Sequence, residues 1–219
     1  MKVCTDACLF GAYVASKDIS ETSILDIGTG TGLISLMLAQ KTTAAIDAVE
    51  LENKAAAQAE ENINNSPWKN QITVINSSIQ EYSRITNKKY DLIISNPPFY
   101  ENSLKSPETA RNIAIHAEAL PLSELVDAIA NLLNDKGMVA LLLPPYESLL
   151  FKDLAEGKGL YLNETVTIKD NTEGKVIREI SLYSYAAKQI ATSEIVIKDI
   201  SNNYSAEFKG LLKDYYLYL

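Results

Sequence analysis

The chain has 219 residues, 47% of them hydrophobic, and this length and composition predict one globular domain, residues 1–219, and exclude a globally disordered chain. Its formal net charge of −8 at pH 7 opposes non-specific attraction to phosphates, so a nucleic-acid substrate would need a local basic surface. The chain has no apolar stretch of membrane-spanning length and no basic and apolar leader, so we expect a cytoplasmic protein with no membrane segment. It has only two cysteines and one histidine, so we expect no metal site.

The first part of the chain alternates predicted helices and strands. Short apolar runs predict strands, and apolar residues that recur every three or four positions predict helices. The strands are expected at Ser23–Gly28, Ala45–Glu50, Ile72–Asn76, Tyr90–Ser95 and Gly137–Leu143, and the helices at Thr5–Ala15, Leu33–Gln40, Asn53–Asn65 and Glu124–Asn134. Such alternation is typical of a doubly wound α/β fold with a parallel sheet.

After Gly159 the pattern changes to long β-type runs. Leu160–Lys169 and Lys175–Ala186 flank a loop rich in turn residues, which predicts an antiparallel hairpin. A further strand, Glu194–Ile200, and a short helix, Ala206–Tyr216, are expected to follow. The overall prediction is a Rossmann-like, mostly parallel, seven-stranded sheet that ends in an antiparallel hairpin.

The turn after the first strand reads Asp26-Ile27-Gly28-Thr29-Gly30-Thr31-Gly32. Glycines at this crossing let the backbone approach a ligand closely, and the next helix presents free N–H groups to an anionic group. Leu33 stands where the dinucleotide fingerprint has its third glycine, and no Lys-Ser/Thr pair follows the loop. A nicotinamide or flavin cofactor and a P-loop are therefore disfavoured.

Glu50 ends the second predicted strand. A carboxylate at this strand tip can accept hydrogen bonds from both hydroxyls of a ribose, which favours a nucleoside cofactor. Asp26, the alternate glycines and Glu50 together resemble the S-adenosylmethionine (AdoMet) site of class I methyltransferases, where the glycine loop faces the methionine part and the acid binds the ribose. The alternative is a tight strand–helix turn that binds no ligand.

The fourth strand runs directly into Asn96-Pro97-Pro98-Phe99. Proline fixes φ and has no N–H, so the Asn96 side-chain oxygen and the Pro97 carbonyl are held as acceptors for a planar NH₂ group. Two acceptors favour a pyramidal nitrogen and stabilise the charge that builds as it attacks a sulfonium methyl. Phe99 offers a stacking face for an extruded base. The alternative is an ordinary proline-rich strand exit.

The polar stretch Tyr100–Glu118 carries weaker signals. Lys105 and Arg111 are candidates for phosphate contacts, although solvated loop charges explain them equally well. The only histidine, His116, fits a structural role better than a catalytic one. The aromatic tail that begins at Tyr215 is expected to dock on the sheet rather than to stack on RNA.

Several segments together resemble the bacterial tRNA1(Val) (adenine-37-N6)-methyltransferase family. They are Ile24–Leu33, Asp47–Glu50, Ala59–Asn62 with Ser66-Pro67-Trp68, Ile94–Phe99 and Glu101–Pro107, and the likeness extends from Lys2–Ala7 to Leu212–Leu217. The resemblance implies a class I methyltransferase that uses AdoMet, releases S-adenosylhomocysteine and forms N6-methyladenine beside the anticodon of a tRNA.

The resulting site prediction has three parts. AdoMet is expected to contact Thr5, Asp6, Asp26, Gly28, Thr29, Gly30, Gly32, Glu50, Leu51, Ser78, Ile79 and Asn96. Catalysis is assigned to Asn96, Pro97, Pro98 and Phe99, and RNA binding to Phe99, Lys105 and Arg111.

Three features depart from the family pattern. Cys4 and Ala7 replace usual glycines, Ser78 replaces the usual Asp that meets the AdoMet adenine, and the segment that normally precedes the opening motif is absent. We expect the absence of this segment to weaken RNA methylation. Two alternatives remain open: a protein glutamine N5-methyltransferase, which typically has Tyr at the position of Phe99, and a non-catalytic AdoMet-binding scaffold.

Overall fold

The computed structural model describes residues 4–17, 19, 23–98 and 120–218. These residues form helices α1 (Thr5–Ala15), α2 (Leu33–Ala39), α3 (Asn53–Asn64), α4 (Ile79–Ile85), α5 (Leu122–Leu132), α6 (Pro145–Glu156) and α7 (Ala206–Leu212). The strands are β1 (Ser23–Ile27), β2 (Ala45–Glu50), β3 (Ile72–Asn76), β4 (Tyr90–Ser95), β5 (Leu133–Leu143), β6 (Tyr161–Asn171), β7 (Val176–Ser184) and β8 (Ala191–Lys198).

The strands form one sheet in the order β3-β2-β1-β4-β5-β7-β6-β8. The five strands from β3 to β5 are parallel, whereas β7 is antiparallel to both β5 and β6. The predicted doubly wound fold and its antiparallel hairpin are thus confirmed. The sheet has eight strands rather than the predicted seven, because β8 pairs in parallel with β6 and extends the sheet.

Alternate residues of the strands pack against helices on opposite faces of the sheet. Ile24, Ile46 and Ile94 belong to a core cluster that includes residues of α1, α2, α3 and α7. Leu25 and Ile93 belong to a second cluster with α4, α5 and α6. Both faces of the central strands are therefore buried, which explains their nearly continuous apolar sequences.

The structure differs from the predicted elements mainly around β5. Helix α5 ends at Leu132 and β5 begins at Leu133, where a register shift against β4 accommodates extra residues. Helices α4 and α6 were not predicted. In α6, Pro145 occupies the first turn, a position that proline tolerates. The exposure of Tyr146 and Leu149 hides the amphipathic pattern of this helix.

Candidate active site

The ends of β1 and β4 lie side by side. Ile27 pairs with Ser95, and Ser95 Oγ donates a hydrogen bond of 2.8 Å to the Ile27 carbonyl. The residues that follow, Gly28 and Asn96, are therefore neighbours at the edge where the parallel strands end, which we call the carboxyl edge. The sheet thus brings the glycine loop and the Asn-Pro-Pro motif together.

The glycine loop leaves open space at Gly28. Gly28 has φ +72°, and a Cβ built there would meet no atom of the residues that the structure describes within 4 Å. Its N–H and that of Thr29 donate to the Val49 carbonyl at 2.9 and 3.1 Å, so β2 fixes the loop. Gly32 has φ +81° and precedes α2, where a Cβ would lie 3.4 Å from Ile63 Cδ1. Gly28 thus leaves room for a ligand, and Gly32 supplies the left-handed backbone conformation that begins α2.

Asp26 is buried beneath this loop, with 1% of its surface exposed. Its Oδ2 accepts hydrogen bonds from Thr29 Oγ1 at 2.6 Å and Ser35 Oγ at 2.7 Å, whereas its Oδ1 is buried without a hydrogen-bond partner among the described residues. Burial, together with the nearby charge of Glu50, raises the pKa of Asp26 to about 6 against the opposing effect of the two hydroxyls. The free oxygen is an acceptor available to a positively charged donor.

Glu50 is oriented by backbone N–H groups. Its Oε2 accepts from Gly30 N at 2.8 Å, and its Oε1 accepts from Glu52 N at 2.9 Å. Each carboxylate oxygen has two lone-pair positions, so both oxygens can accept a further hydrogen bond. The tip of β2 is thus pre-organised as an acceptor for two hydroxyl groups.

The first turn of α1 also reaches the carboxyl edge. Asp6 Oδ2 lies 3.3 Å from Arg178 Nε, and the next residue of β7, Glu179, pairs with Leu143 at the end of β5. Thr5 is exposed and Asp6 is half-buried. The N-terminal helix and the far hairpin therefore meet at the edge that carries Asn96.

Comparison with known proteins identifies the family. The Methyltransferase small domain family matches residues 11–124. The tRNA1(Val) (adenine(37)-N6)-methyltransferase of Cytophaga hutchinsonii is 42% identical over 100% of this chain and 92% of its own length. The enzyme of the same name from Parabacteroides distasonis is 40% identical over 99% of this chain and 91% of its own length. The chain belongs to the tRNA1(Val) (adenine(37)-N6)-methyltransferase family.

Solved structures support the fold alone. A protein of Agrobacterium tumefaciens described as a predicted O-methyltransferase superimposes with a TM-score of 0.72 at 14% identity, and the match covers 95% of each chain. A methyltransferase from Pyrococcus furiosus gives a TM-score of 0.57 at 23% identity, over 82% of this chain and 83% of that one. Both matches agree with a class I methyltransferase fold.

As a member of this methyltransferase family, the chain uses AdoMet, and the residues at the carboxyl edge fit that molecule. The unpartnered Oδ1 of Asp26 suits an ammonium group, and the two oxygens of Glu50 suit ribose hydroxyls. Gly28 leaves space in front of the loop. Acceptors and space are thus both present around the glycine loop at the carboxyl edge.

The other residues predicted to contact AdoMet differ in their exposure and in the contacts that they make. Leu51 is 60% exposed beside Glu50 and offers an apolar surface. The Ser78 hydroxyl oxygen caps α4 by accepting from Glu81 N at 3.1 Å. The Ile79 side chain is buried in the second core cluster, so only its backbone can face a ligand. Thr29 is likewise buried, and its hydroxyl serves Asp26.

The residues that follow Asn96 are described only in part. Asn96 is half-buried, Pro97 is buried and Pro98 is exposed. Phe99, Lys105, Arg111 and His116 lie outside the described residues.

Sequence reasoning did not assign three residues that shape the site. Ser35 donates to Asp26, and Ser95 joins β4 to β1. Asn62 Nδ2 donates to the Thr31 carbonyl at 2.9 Å and holds the glycine loop from α3. Serines within otherwise apolar elements were the available signal for the first two.

Within residues 4–17, 19, 23–98 and 120–218, no helix is both long and apolar enough to span a membrane. The same residues contain no group of three or more His, Cys, Asp or Glu side chains that could hold a metal ion.

Proposed function

We propose that this chain transfers a methyl group from AdoMet to the N6 amine of an adenine in tRNA, adenine 37 of valine tRNA, in the cytoplasm. The pairing of Ile27 with Ser95 is the observation that carries the proposal, because it sets Asn96 beside Gly28. Relatives about 40% identical over the whole chain carry this activity in their names and support this substrate.

AdoMet supplies an electrophilic methyl group on its sulfonium. Asn96 Oδ1 and the Pro97 carbonyl accept the two hydrogens of the target amine, which withdraws its lone pair from the ring and directs it to the methyl group. Neither Pro97 nor Pro98 has an N–H that could compete for these acceptors. The excess proton leaves the nitrogen towards water after transfer, so no strong base is required.

The remaining proposed roles concern binding. Asp26, Gly28, Gly30, Gly32 and Glu50 hold AdoMet. Thr29 acts through Asp26, and Thr5, Asp6, Leu51, Ser78 and the Ile79 backbone border the same pocket. Phe99 stacks on the adenine, and Lys105 and Arg111 contact phosphates. We also infer that residues 1–219 form a single domain, since strands from both halves of the chain share one sheet.

Methyl transfer to unmodified valine tRNA tests the proposal. Labelled AdoMet is incubated with the protein and a transcript, and the digested nucleosides are separated. We expect label in N6-methyladenosine, none with guanine at position 37 and none in a glutamine-containing release factor. Label in the protein substrate and not in the RNA would refute the proposed function in favour of glutamine N5-methylation. Absence of transfer to either substrate would favour a non-catalytic scaffold.

A further inference from the structure

Asp6 and Arg178 join two elements that are remote in sequence. Asp6 Oδ2 lies 3.3 Å from Arg178 Nε, with 22% and 24% of the two side chains exposed. The other oxygen of Asp6 accepts a hydrogen bond of 2.9 Å from Ala7 N. Both carboxylate oxygens are therefore engaged, which fixes the orientation of the side chain and of the first turn of α1.

The ion pair lies at the carboxyl edge. Glu179 pairs with Leu143, the last residue of β5, so Arg178 extends just beyond the end of that strand. Ser95 pairs with Leu141 in the same strand, which sets the Asn-Pro-Pro motif beside this end of β5. Arg178 thus reaches α1 at the edge where the proposed AdoMet pocket opens.

The first turn of α1 has a second attachment to a distant part of the chain. Tyr216 packs against the core cluster that contains Cys8, and its hydroxyl interacts with the side chains of Cys8 and Thr5. The Tyr216 ring packs edge-on against Phe208 of α7 at 6.4 Å between centroids. Tyr216 therefore docks beside α7 rather than on the sheet and holds the turn from that side, whereas Leu217 and Tyr218 are 93% and 90% exposed.

The opposite end of α1 is tied to the same hairpin by an independent ion pair. Lys17 Nζ lies 2.8 Å from Glu164 Oε1 of β6, with 31% and 25% of the side chains exposed. Tyr13 donates a hydrogen bond to the same oxygen. The helix thus has two ion pairs of similar burial, of which only one reaches the carboxyl edge.

We propose that Arg178 is a positioning residue for AdoMet, because its ion pair with Asp6 holds Thr5 and Asp6 at the rim of the pocket. This role rests on the proposed function, in which those two residues border AdoMet. An ordered rim lowers the conformational entropy that binding would otherwise remove. Arg178 acts through Asp6 and has no direct part in methyl transfer.

Charge and positioning predict effects of opposite sign. AdoMet is a net cation, because its sulfonium and ammonium groups outweigh its single carboxylate, so removing a nearby arginine would strengthen its binding if net charge alone mattered. Loss of positioning instead weakens binding. The direction of the change in AdoMet affinity therefore separates the two roles.

The test compares Arg178→Met with Arg178→Lys and Asp6→Asn, with Glu164→Gln as the matched control at the other end of α1. Calorimetric titration with AdoMet in the absence of RNA gives Kd, and steady-state kinetics give KM and kcat. We expect Arg178→Met to raise Kd and the KM for AdoMet by about 5- to 20-fold with kcat nearly unchanged, and Arg178→Lys to restore most of the affinity. Glu164→Gln should leave Kd within about twofold.

A double variant, Asp6→Asn with Arg178→Met, adds a coupling measurement. If Arg178 acts through Asp6, the double variant loses no more affinity than the worse single variant. Unchanged or tighter AdoMet binding by Arg178→Met would overturn the proposal. An equal loss in Glu164→Gln, or a rise only in the KM for tRNA, would also overturn it. Because Kd is measured without RNA, it decides the positioning role of Arg178 by itself. Failure of the wild type to methylate tRNA would refute the proposed function and leave that Kd comparison intact.

Discussion

Asp26 is a residue at which the requirements of stability and binding oppose each other. Its carboxylate is buried with one unpartnered oxygen, and burial raises its pKa from 3.8 to about 6. Because the folded state binds the proton more tightly than the unfolded state, this group favours folding below about pH 4, and the contribution is lost as pH rises through about 6. The loss amounts to about 3 kcal/mol, and a bound positive charge would offset part of it.

We therefore predict that Asp26→Asn removes a pH-dependent part of the stability. Between pH 5 and pH 8, the wild type should lose about 1 to 2 kcal/mol of unfolding free energy relative to the variant. Urea titrations at several pH values, without AdoMet, measure this difference. If the unfolding free energies of the two proteins changed in parallel with pH, Asp26 would already be ionised at pH 5, which would contradict the prediction. In the same pH range, AdoMet affinity of the wild type should fall as pH drops below about 6, and that of the variant should not.

Asn96 provides the residue-scale test of the chemistry. Asn96→Ala should lower the single-turnover rate of methyl transfer by roughly 10² to 10³ while AdoMet still binds, because the side-chain oxygen acts mainly on charge that develops during the reaction. Asn134→Ala serves as a control, since Asn134 bonds to Asp91 through its side chain at the other end of β4. A rate close to that of the wild type would exclude the proposed acceptor role.

At the scale of elements, the glycine loop depends on its neighbouring strands. The Val49 carbonyl accepts from two consecutive loop N–H groups, and Glu50 accepts from a third. The loop conformation is thus fixed before a ligand arrives, which lowers the entropic cost of binding. Positive φ at Gly28 is part of that conformation.

Gly28→Ala and Gly159→Ala form a matched pair for this loop. Both glycines have positive φ, +72° and +75°, and a Cβ at either meets no described atom within 4 Å. Both substitutions should therefore reduce the free energy of unfolding by about 1 to 2 kcal/mol through backbone strain. Only Gly28→Ala should raise AdoMet Kd, by roughly tenfold or more, because its methyl group enters the ligand space. Equal AdoMet affinity in the two variants would place that space outside the binding site.

At the scale of the whole molecule, charge restricts where RNA can bind. The net charge is −8, and two cations of the β6–β7 hairpin already have acidic partners. Lys169 lies 2.8 Å from Glu194, and Arg178 pairs with Asp6. These two side chains are therefore weaker candidates for phosphate contacts than Lys105 and Arg111.

Salt dependence of tRNA binding tests this assignment. Replacing Lys105 and Arg111 with Gln should reduce the slope of log affinity against log salt by about 1 to 2, roughly one unit for each lost phosphate contact. Lys169→Gln is the control and should leave the slope unchanged. A reduced slope in Lys169→Gln, with an unchanged slope in the Lys105 and Arg111 double variant, would place the RNA-binding surface at the β6–β7 hairpin.

Much of the fold was predictable because its signals are local. The strands from β1 to β4 follow from apolar runs, and α1 has the predicted bounds of Thr5–Ala15. Helix α6 escaped prediction because several of its large apolar side chains are exposed. The start of β5 was misplaced because a register shift against β4, which local periodicity does not encode, lets the strand begin at Leu133.

The sequence by itself determined the family and the proposed chemistry of the site, since the alternate glycines, Glu50 and Asn96-Pro97-Pro98 are each short motifs at a strand end. Only the tertiary structure decided which distant groups support them. The ion pair between Asp6 and Arg178 requires β7 to lie between β5 and β6. The raised pKa of Asp26 likewise requires burial beneath a closed loop. Such contacts and electric fields depend on the packing of elements that are remote in the chain, so local patterns do not specify them.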